Sequence, residues 1–427
     1  MHEERLLIRE KRYKIILKCL QAYIGHLVIV IKANTPGDDK HTREARFLVR
    51  LFTNVLKQEM TVIHEETLTS HQEGPCLLLV TPSWDATTIK QALVMIEDTH
   101  PLGRLIDLDV YQPDGTPLAR TSLGYAERSC FLCEQPAHIC VREQRHDMKD
   151  LVTFIHDKVH DDMQSRMTRL IDEVIMLELD LEHKFGLVER QTSGAHHDMN
   201  HALMIKAKDA IIPHLVNAFL IGLERGDPEG LLERARSLGI AAEQAMLTAT
   251  AGVNCYKGLI FVLGLVLLAT GVVIHRQEDM SMSFSHIKTM TKDILHEFDD
   301  HAETTSGIEA FEQYGIRGVR GEVHDGLPSV TKALSLLEPD TQLDDVMLRK
   351  LLQVLIVESE DTVLLKRAGS LREYQLIKDE IAALDMSDLT MVKHYTRSAV
   401  QRGLSFGGSA DLLVATLFIH RFKLMMG

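Results

Sequence analysis

The sequence predicts two domains, an α/β (α+β) domain in residues 1–160 followed by an all-α helical domain in residues 164–427. At 427 residues the chain is longer than a single hydrophobic core usually serves. Up to about residue 159, short apolar runs such as HLVIVI and CLLLV alternate with turn signals such as NTPGDD and QPDG, a pattern typical of strands. Beyond residue 163 the apolar residues recur at helical spacing in long segments, which predicts helices.

The same patterns predict the individual elements. In the first domain we expect strands in the apolar runs and helices over residues 43–59 and 87–99. The charged stretch HDKVHDDMQ, residues 156–164, marks the change of pattern and predicts a helical or short linker. In the second domain, helices are predicted over residues 166–181, 204–222, 228–250, 284–300 and 343–357.

Charge and the N-terminal segment narrow the class of protein. The formal net charge of −14 argues against nucleic acid as a partner, because binding to a phosphate backbone needs a basic face. A phosphorylated ligand must therefore be held by a few local cations. The N-terminal segment MHEERLLIREKRYKIILK is charged throughout and lacks the apolar core of a secretory signal, which predicts a cytoplasmic protein.

One apolar segment competes with the prediction of a soluble protein. Residues 258–274, GLIFVLGLVLLATGVVI, carry no charge, and their 17 residues reach the lower limit for a membrane span. We expect a buried helix instead, because the sequence has no second such segment and Gly258, Gly264 and Gly271 would let neighbouring helices approach. No membrane partner is therefore predicted.

A pair of carboxylates is the sharpest local pattern of the first half. In HPLGRLIDLDV, Asp107 and Asp109 are two residues apart, so on a strand both point to one face. Hard oxygen ligands in this arrangement suit Mg²⁺ bound to a polyphosphate. Arg104 would add a local cation, and His100 is a candidate catalytic residue. The alternative is an edge strand with two solvated aspartates.

A cluster of cysteines follows in CFLCEQPAHICVREQRH. Cys130, Cys133, Cys140 and His146 have a spacing that would allow a tetrahedral Zn²⁺ site, although only one pair has the tight C-x2-C spacing. The alternative is a set of small buried thiols that pack a turn. Upstream, the turn NTPGDDK offers Lys40 to a phosphate group.

These segments together resemble a known family. The run THPLGRLIDLDV, then R-x-x-L-G, then R-x-C-x-L-C-x-x-x-A-x-x-C-x-R, closely resembles apo-citrate lyase phosphoribosyl-dephospho-CoA transferases over nearly all of residues 5–155, and P-G-x-x-K is matched at Pro36, Gly37 and Lys40. That family transfers phosphoribosyl-dephospho-CoA from its 5''-triphosphate to a serine of the acyl carrier (gamma) subunit of citrate lyase, and pyrophosphate leaves. The resemblance implies a transferase domain in which Asp107 and Asp109 bind the metal.

Four polar motifs interrupt the helices of the second half. SGAHHDM offers His196 and Asp198 for metal binding or proton exchange. TAGVNCYKG places Asn254 and Lys257 before the apolar helix, where a helix N-terminus and a lysine suit a phosphate. RGVRGE combines two arginines with a carboxylate, and FGGSADLL forms a Gly-Gly turn with a Ser-x-Asp helix cap. Capping and turn formation is the alternative explanation of each motif.

The order of these motifs resembles the triphosphoribosyl-dephospho-CoA synthases from about residue 167 to the C-terminus. That family attaches the ribose 5-triphosphate of ATP to the 2'-hydroxyl of 3'-dephospho-CoA and expels adenine. The matched motifs are G-A-H-x-D-M, G-V-N-x-x-K-G, A-R-G-E, D-T-N…R-G and G-G-S-A-D-L-L. The motifs and the resemblance together give catalytic candidates at His196, Asp198, Glu322, Asp361 and Asp411, and substrate- or phosphate-binding candidates at Asn254, Lys257, Arg317, Arg320, Arg367, Gly407, Gly408 and Ser409.

The chain departs from the family pattern inside several motifs. KFGLVE stands where the family has K-P-G-L-V-D, so Phe185 and Glu189 are changed positions. Tyr256 replaces a histidine before the lysine, Val363 replaces an asparagine after Asp-Thr, and Phe406 replaces a proline before Gly-Gly. We therefore expect a second active site that is tuned differently or is less active.

Joined in one chain, the two resemblances imply a bifunctional transferase. The second half would make the triphosphoribosyl intermediate from ATP and 3'-dephospho-CoA, and the first half would transfer it to the acyl carrier subunit, with Mg²⁺ as the expected cofactor. One alternative is a nucleotidyltransferase fused to a helical domain that only binds CoA-like ligands. Another is a membrane-anchored scaffold that uses the apolar helix.

Overall fold

The chain forms two compact units. A computed structural model describes residues 2–70, 73–82, 85–298 and 306–426. One unit comprises Met1–Ser165 with Met425–Gly427, and the other comprises Arg166–Leu424. The division falls inside one long helix, α5 below, which includes the charged stretch at residues 156–164. The architecture is therefore that of two domains.

The first unit is built around a five-stranded sheet. Its elements are α1 (His2–Ala22), β1 (Leu27–Ala33), α2 (Arg43–Glu59), β2 (His64–Ser70), β3 (Gly74–Thr81), α3 (Ala86–Thr99), β4 (Ile106–Tyr111), β5 (Pro117–Leu118) and α4 (Ala137–Glu143). The strand order is β2-β3-β1-β4-β5, and every neighbouring pair is antiparallel. Because an antiparallel sheet needs no helical crossovers, the domain is of the α+β type.

Both faces of this sheet are covered. On one face, Val28, Val30 and Leu78 pack with Ile16 and Leu20 of α1. On the other face, α2 contacts β1 and β3 and α3 contacts β4, and buried residues such as Ile29, Leu79 and Leu108 alternate with those of the first face. The central strands β1 and β3 are therefore almost entirely apolar, which is why their runs were recognisable in the sequence.

Two elements of this unit were not predicted. Strand β2, HEETLTS, lies at the sheet edge and is largely polar, so it has no apolar run. Helix α1 carries its buried residues among many charged ones, which obscures the helical period. One side of each element faces solvent, so only some of its residues are apolar. The apolar pattern by which strands and helices are predicted is therefore weak in both segments.

The second unit consists of helices. These are the part of α5 (Met148–Asp180) from Arg166 onward, α6 (His201–Arg225), α7 (Leu231–Ala249), α8 (Lys257–Arg276), α9 (Met282–Met290), α10 (Ser306–Tyr314), α11 (Gly318–His324), α12 (Pro328–Leu334), α13 (Asp345–Glu358), α14 (Thr362–Ala368), α15 (Leu371–Ala382), α16 (Leu389–Gln401) and α17 (Gly407–Met426) as far as Leu424. The helix predicted over residues 284–300 is wrong in extent, because α9 ends at Met290 and a 3-10 helix follows at Ile294–Phe298; residues 299 and 300 lie outside the described residues.

The apolar segment is the core helix of this unit, as expected. Helix α8 is long and apolar enough to span a membrane, but 78% of its most apolar 18-residue window is buried inside the protein. It packs closely on α6 because each helix has a glycine at the contact. A Cβ on Gly271 would lie 2.3 Å from the Phe219 carbonyl oxygen, and one on Gly222 would lie 2.1 Å from that of Leu268. At Gly264, by contrast, no neighbouring atom lies within 4 Å of a Cβ.

Candidate active sites

The aspartate pair of the first domain lies on one face of β4. Along this strand Ile106, Leu108 and Val110 are buried, whereas Asp107 and Asp109 alternate with them and reach solvent. In the pairing with β1, Asp107 lies opposite Lys32 and Asp109 lies opposite Val30. The prediction that both carboxylates share one strand face is therefore confirmed.

Asp107 is held by an arginine that is itself fixed in place. Arg128 donates through Nη1 to Asp107 Oδ1 and, at 2.9 Å, to the Ile106 carbonyl oxygen, while its Nη2 pairs with Glu97. Glu97 is buried on α3 and accepts the Leu108 N–H at 2.8 Å. Burial raises the pKa of Glu97, and the charge of Arg128 opposes that rise. Arg128 thus orients one carboxylate of the pair.

Asp109 is the carboxylate that remains available. Within the described part of the chain it makes no hydrogen bond and no ion pair, and its side chain is exposed to solvent. It nevertheless lies among enough protein atoms for desolvation to raise its pKa, and the neighbouring charge of Asp107 raises it further. Two adjacent carboxylates that repel each other, one of them without a partner, form the hard oxygen donor set that suits a divalent cation.

A cationic cluster accompanies the aspartates. Glu73, at the start of β3 and 6% exposed, pairs with Arg12 of α1, with Arg9 at 2.8 Å and with Lys32 at 3.6 Å. Burial alone would raise the pKa of Glu73, but the hydrogen bond from Arg9 and the charges of Lys32, Arg12 and Arg9 lower it. Three cations share one carboxylate, so the cluster has positive charge to spare for a phosphate group.

The three other predicted residues of this half have structural contacts. His100 follows α3, accepts the Leu102 N–H at 3.0 Å on Nδ1, and packs edge-on against Phe52. The guanidinium of Arg104 donates to the Ser129 carbonyl oxygen and lies 4.8 Å from the centre of the Phe131 ring. Lys40 Nζ donates to the Thr35 carbonyl oxygen and closes its own turn. Their proposed chemical roles stay predictions.

The cysteine cluster is brought together as one group. The ligand atoms of Cys130, Cys133, Cys140 and His146 all lie within 4.8 Å of one another. Cys133 Sγ is 3.4 Å from Cys140 Sγ and 3.2 Å from His146 Nε2. A tetrahedral zinc with Zn–S bonds of about 2.3 Å separates its sulfur ligands by roughly 3.8 Å, so the observed spacing needs only a small adjustment. The donor set therefore fits zinc.

In the second domain, the dispersed motifs line one cavity of about 290 Å³, here called the reaction cavity. Its walls come from the loop before α6, the start of α8, helix α11, the start of α14 and the start of α17. The predicted residues that line it are His196, Asn254, Lys257, Glu322, Asp361, Gly407, Gly408 and Asp411. Residues more than two hundred positions apart thus meet at one place.

Asp361 connects two of these motifs. It caps α14 by accepting the N–H groups of Val363 and Leu364 on Oδ1, at 2.9 and 3.0 Å. Its Oδ2 accepts the N–H and the hydroxyl of Ser409, at 2.8 and 2.9 Å. Asp361 is 2% exposed and both oxygens are occupied, so the geometry favours a positioning role.

Asp411 has a different environment at the floor of the cavity. A Cβ on Gly258 would lie 2.1 Å from Asp411 Oδ2, so any other residue at this position would displace the carboxyl group. Burial raises the pKa of Asp411 well above its ordinary value, and the charges of Glu178 and Asp361 add to the rise. A carboxyl group whose pKa is raised in this way keeps its proton to higher pH and can act as a general acid.

The other floor residues were not selected from the sequence. Lys184, 1% exposed, pairs with Glu178 at 2.8 Å and donates to the Leu179 carbonyl oxygen. Tyr256 is buried and its hydroxyl has no hydrogen-bond partner in the described structure; burial raises its pKa. Lys184 belongs to the motif KFGLVE, which could have identified it as a site residue from the sequence. Glu178 lies within a regular helix, where no motif indicates a site residue.

His196 and Asp198 differ in their exposure to solvent. His196 lines the cavity, and its Nε2 hydrogen bonds with Ser405 Oγ at 3.0 Å. Burial lowers the pKa of His196, the charge of Arg367 lowers it further, and Asp198 opposes both effects. Asp198 is exposed and is not among the lining residues, so it influences the cavity through its charge.

Most of the predicted cations already have acidic partners. Arg317 pairs with Asp325, Arg320 with Glu297 at 3.0 Å, and Lys257 with Glu243 at 2.7 Å. Arg367 is exposed, lies close enough to affect His196, and has no ion pair within the described residues. Glu322 accepts the Ser329 N–H at 2.9 Å at the start of α12, and burial raises its pKa.

The departures from the motifs cluster beside this cavity. Phe185 and Phe406 are fully buried and in ring contact with each other. Glu189 accepts the Lys184 N–H at 3.0 Å. Tyr256 and Val363 line the cavity, and Val363 is partly exposed there. Tyr256 and Val363 therefore affect the shape of the cavity directly, whereas Phe185, Glu189 and Phe406 are not among its lining residues.

Known proteins resemble the chain along its whole length. Residues 2–162 match the family model of apo-citrate lyase phosphoribosyl-dephospho-CoA transferase, and residues 164–426 match that of ATP:dephospho-CoA triphosphoribosyl transferase. Protein CitXG of Haemophilus influenzae is 30% identical over 416 residues, which cover 92% of this chain and 88% of that protein. Protein CitXG of Leuconostoc mesenteroides subsp. cremoris is 29% identical, with 97% and 95% covered. The 2-(5''-triphosphoribosyl)-3'-dephosphocoenzyme-A synthase of Haemophilus ducreyi is 30% identical over 318 residues, which cover 67% of this chain and 98% of that protein.

Proposed function

The chain belongs to the fused apo-citrate lyase phosphoribosyl-dephospho-CoA transferase and ATP:dephospho-CoA triphosphoribosyl transferase family, and from this membership we propose that it makes and attaches the citrate lyase prosthetic group. The second domain joins the triphosphoribosyl group of ATP to 3'-dephospho-CoA and releases adenine. The first domain transfers phosphoribosyl-dephospho-CoA from that product to a serine of the acyl carrier (gamma) subunit of citrate lyase and releases pyrophosphate. The chain is thus a bifunctional transferase.

The convergence of the motifs on the reaction cavity carries this proposal. A cavity that only stabilised the fold would be filled with apolar side chains, whereas this one holds Glu178, Glu322, Asp361 and Asp411 beside His196. Perturbed carboxyl groups in a concave site are typical of catalysis. The lining supports turnover in this domain rather than the alternative of ligand binding alone.

In the adenine-releasing step, one group of the reaction cavity donates a proton and another accepts one. The 2'-oxygen of dephospho-CoA forms a bond to C1' of the ATP ribose, while the bond from C1' to the adenine nitrogen breaks. The leaving nitrogen takes a proton, which Asp411 donates because its raised pKa keeps it protonated. His196, kept neutral by its lowered pKa, accepts the proton of the 2'-hydroxyl. Glu322 faces the positive charge that develops on the ribose.

The transfer step uses the aspartate pair and the neighbouring cations. Asp107 and Asp109 would hold Mg²⁺, which would neutralise charge on the pyrophosphate leaving group. Arg128 keeps Asp107 in position through the bond between their side chains. Arg12 and Lys32 bind the phosphate oxygens that extend beyond the aspartates, because both cations share Glu73 with a third cation and retain positive charge.

The cysteine cluster has a supporting role. One Zn²⁺ would be held by Cys130, Cys133, Cys140 and His146, and would tie together a segment that begins immediately after Arg128 and Ser129. The Ala137 N–H donates to the Arg128 carbonyl oxygen at 2.9 Å, so the same segment fixes the backbone of Arg128. The segment that carries these four residues therefore positions the arginine that orients Asp107.

The protein acts in the cytoplasm, where ATP, dephospho-CoA and the carrier subunit are available. The alternative of a membrane-anchored scaffold is disfavoured because α8, the apolar helix it would need, is largely buried in the second domain.

Incubation of the purified protein with ATP, 3'-dephospho-CoA and Mg²⁺ tests the proposal. Adenine should appear only when both substrates are present, and subsequent addition of the apo carrier subunit should yield a carrier heavier by one phosphoribosyl-dephospho-CoA group. Binding of both substrates without adenine would leave the helical domain as a binding module. Adenine without carrier modification would remove the transfer assignment alone.

A further inference from the structure

A second cavity opens beside the reaction cavity in the helical domain. It has a volume of about 390 Å³ and lies between α6, α7 and α8; it is here called the side cavity. Lys257, Gly258 and Val319 line both cavities, so the two are adjacent at these residues. The walls of the side cavity are mainly apolar, with Leu265 and Leu268 of α8 among them. An apolar space joined to a reaction site is suited to an uncharged part of a substrate.

Two helix glycines face the side cavity, although no contact within the protein requires glycine at either position. Gly239 of α7 and Gly264 of α8 both line the side cavity, and no atom lies within 4 Å of a Cβ built on either one. Neither has the positive φ that favours glycine. Glycine in a helix interior is unfavourable relative to alanine, so neither packing nor backbone conformation explains these residues. Close approach of a ligand to the two helix backbones does explain them.

Charged residues at the cavity margin specify the ligand further. Arg236 and Arg320 both pair with Glu297, and all three line the side cavity. Two guanidinium groups on one carboxylate leave a net positive charge at the margin that Val319 and Lys257 share with the reaction cavity. A ligand that extends from the reaction cavity into the side cavity therefore has this positively charged group and the apolar walls within the same space.

We propose that the side cavity binds the pantetheine arm of 3'-dephospho-CoA, with the diphosphate at the Arg236–Glu297–Arg320 group. This inference rests on the proposed function of the second domain. The substrate has a reacting ribose, then a diphosphate, then a long uncharged arm, and the two adjacent cavities present a reaction site, a positively charged group and apolar walls to receive them. Binding energy from the arm fixes the 2'-hydroxyl at the ribose of ATP.

The variant Gly264→Leu tests this assignment in the full-length protein. Its side chain extends into the empty side cavity, so the fold and its melting temperature should be preserved. The Michaelis constant for dephospho-CoA should rise at least about tenfold, because several methylene groups of the arm lose their site. The Michaelis constant for ATP should stay within about threefold of wild type, because ATP occupies the reaction cavity. Gly264→Ala, which adds one methyl group, should show a much smaller effect.

Gln244→Leu is the matched control, since Gln244 is exposed on α7 and does not line the side cavity. It should leave both constants unchanged. An unaltered Michaelis constant for dephospho-CoA in Gly264→Leu, or an equal rise in the Michaelis constant for ATP, would overturn the assignment. Calorimetric titration with dephospho-CoA gives a readout independent of turnover. If wild type releases no adenine, the proposed function fails, whereas equal calorimetric affinity of wild type and Gly264→Leu removes the assignment of the side cavity.

Discussion

The ring of Phe185 packs edge-on against the ring of Phe406, with centroids 6.3 Å apart and planes at 77°. Both residues stand where the family motifs have proline. Phe185 has a φ of +62°, which proline, restricted to about −65°, cannot adopt. The turn that begins KFGLVE therefore differs in backbone conformation from one that contains proline. The two departures are in contact, and their effects should be coupled.

A double-mutant cycle measures this coupling. Phe185→Leu and Phe406→Leu should each destabilise the second domain, and the pair should be less destabilising than the sum by about 0.5–1.5 kcal/mol, the usual value of an aromatic contact. Urea unfolding of the four proteins supplies the free energies. Additivity within about 0.3 kcal/mol would show that the two positions act independently. Phe185→Pro should unfold this turn, because its backbone cannot keep the positive φ.

Asp411→Asn and Asp361→Asn should have different effects, the first on adenine release and the second on stability. Asp411→Asn removes a proton donor, so adenine release should fall by about 10²- to 10⁴-fold while the melting temperature is little changed. Asp361→Asn places an NH₂ group against N–H donors, which should cost about 1–3 kcal/mol of stability. Thermal unfolding and adenine assays on both variants separate the roles. A stable, active Asp411→Asn protein would remove the general-acid assignment.

The pH profile of adenine release provides a second check on Asp411. Because the pKa of Asp411 is raised well above the ordinary value, its carboxyl group keeps the proton to a higher pH than an ordinary aspartate does and loses it as the pH rises further. The rate should therefore decline on the alkaline side of the profile. Asp411→Asn, which has no such proton, should lose that alkaline limb. A limb that persists in the variant must come from another group.

Asp107→Asn and Asp109→Asn should stop the transfer reaction without affecting the synthesis. Each change keeps the size of the side chain but removes a charge that the cation needs, so carrier modification should fall by orders of magnitude. Adenine release should continue, and the triphosphoribosyl intermediate should accumulate. Asp114→Asn is the control, because Asp114 is an exposed aspartate in the turn after β4. Carrier modification within a few-fold of wild type in Asp107→Asn would place the transfer site elsewhere.

The cysteine cluster predicts one zinc per chain. Elemental analysis of the purified protein should find it, and Cys133→Ser should reduce the content because Cys133 contacts two of the other ligands. Carrier modification should fall in parallel, since Arg128 loses its support. Cys255 lies in the other domain, so the Cys255→Ser protein is the control and should retain the metal. Less than about a tenth of an equivalent in wild type would contradict a tight structural site.

Glu73 should make the stability of the first domain depend on pH. Its folded pKa is lowered below the ordinary value of 4.5, so the folded protein binds fewer protons than the unfolded chain. The stabilisation is therefore complete above pH 4.5 and is lost as the pH falls through the folded pKa. Glu73→Gln leaves three cations without a partner and should cost about 3 kcal/mol at pH 7. The difference from wild type should shrink below pH 4.5 in urea unfolding experiments.

Local patterns were sufficient for much of this molecule. The strands β1, β3 and β4, the helix α2 and the burial of α8 followed from apolar period and length, because each is packed on the core along its whole length. The shared face of Asp107 and Asp109 followed from the two-residue repeat of a strand alone. The motifs of the second domain were recognisable because turns and caps place glycine, asparagine and aspartate at defined positions.

Tertiary packing decided which of those residues meet and which remain available. No local pattern indicates that both oxygens of Asp361 are occupied by Ser409 and by the start of α14, or that Asp109 has no partner among the described residues. Glu178 lies inside a regular helix and reaches the cavity only because α5 packs beside Lys184. Burial and neighbouring charge set the state of Asp411, and both depend on residues distant in the chain. Sequence period determines local geometry, whereas proximity between distant segments arises only when the core closes.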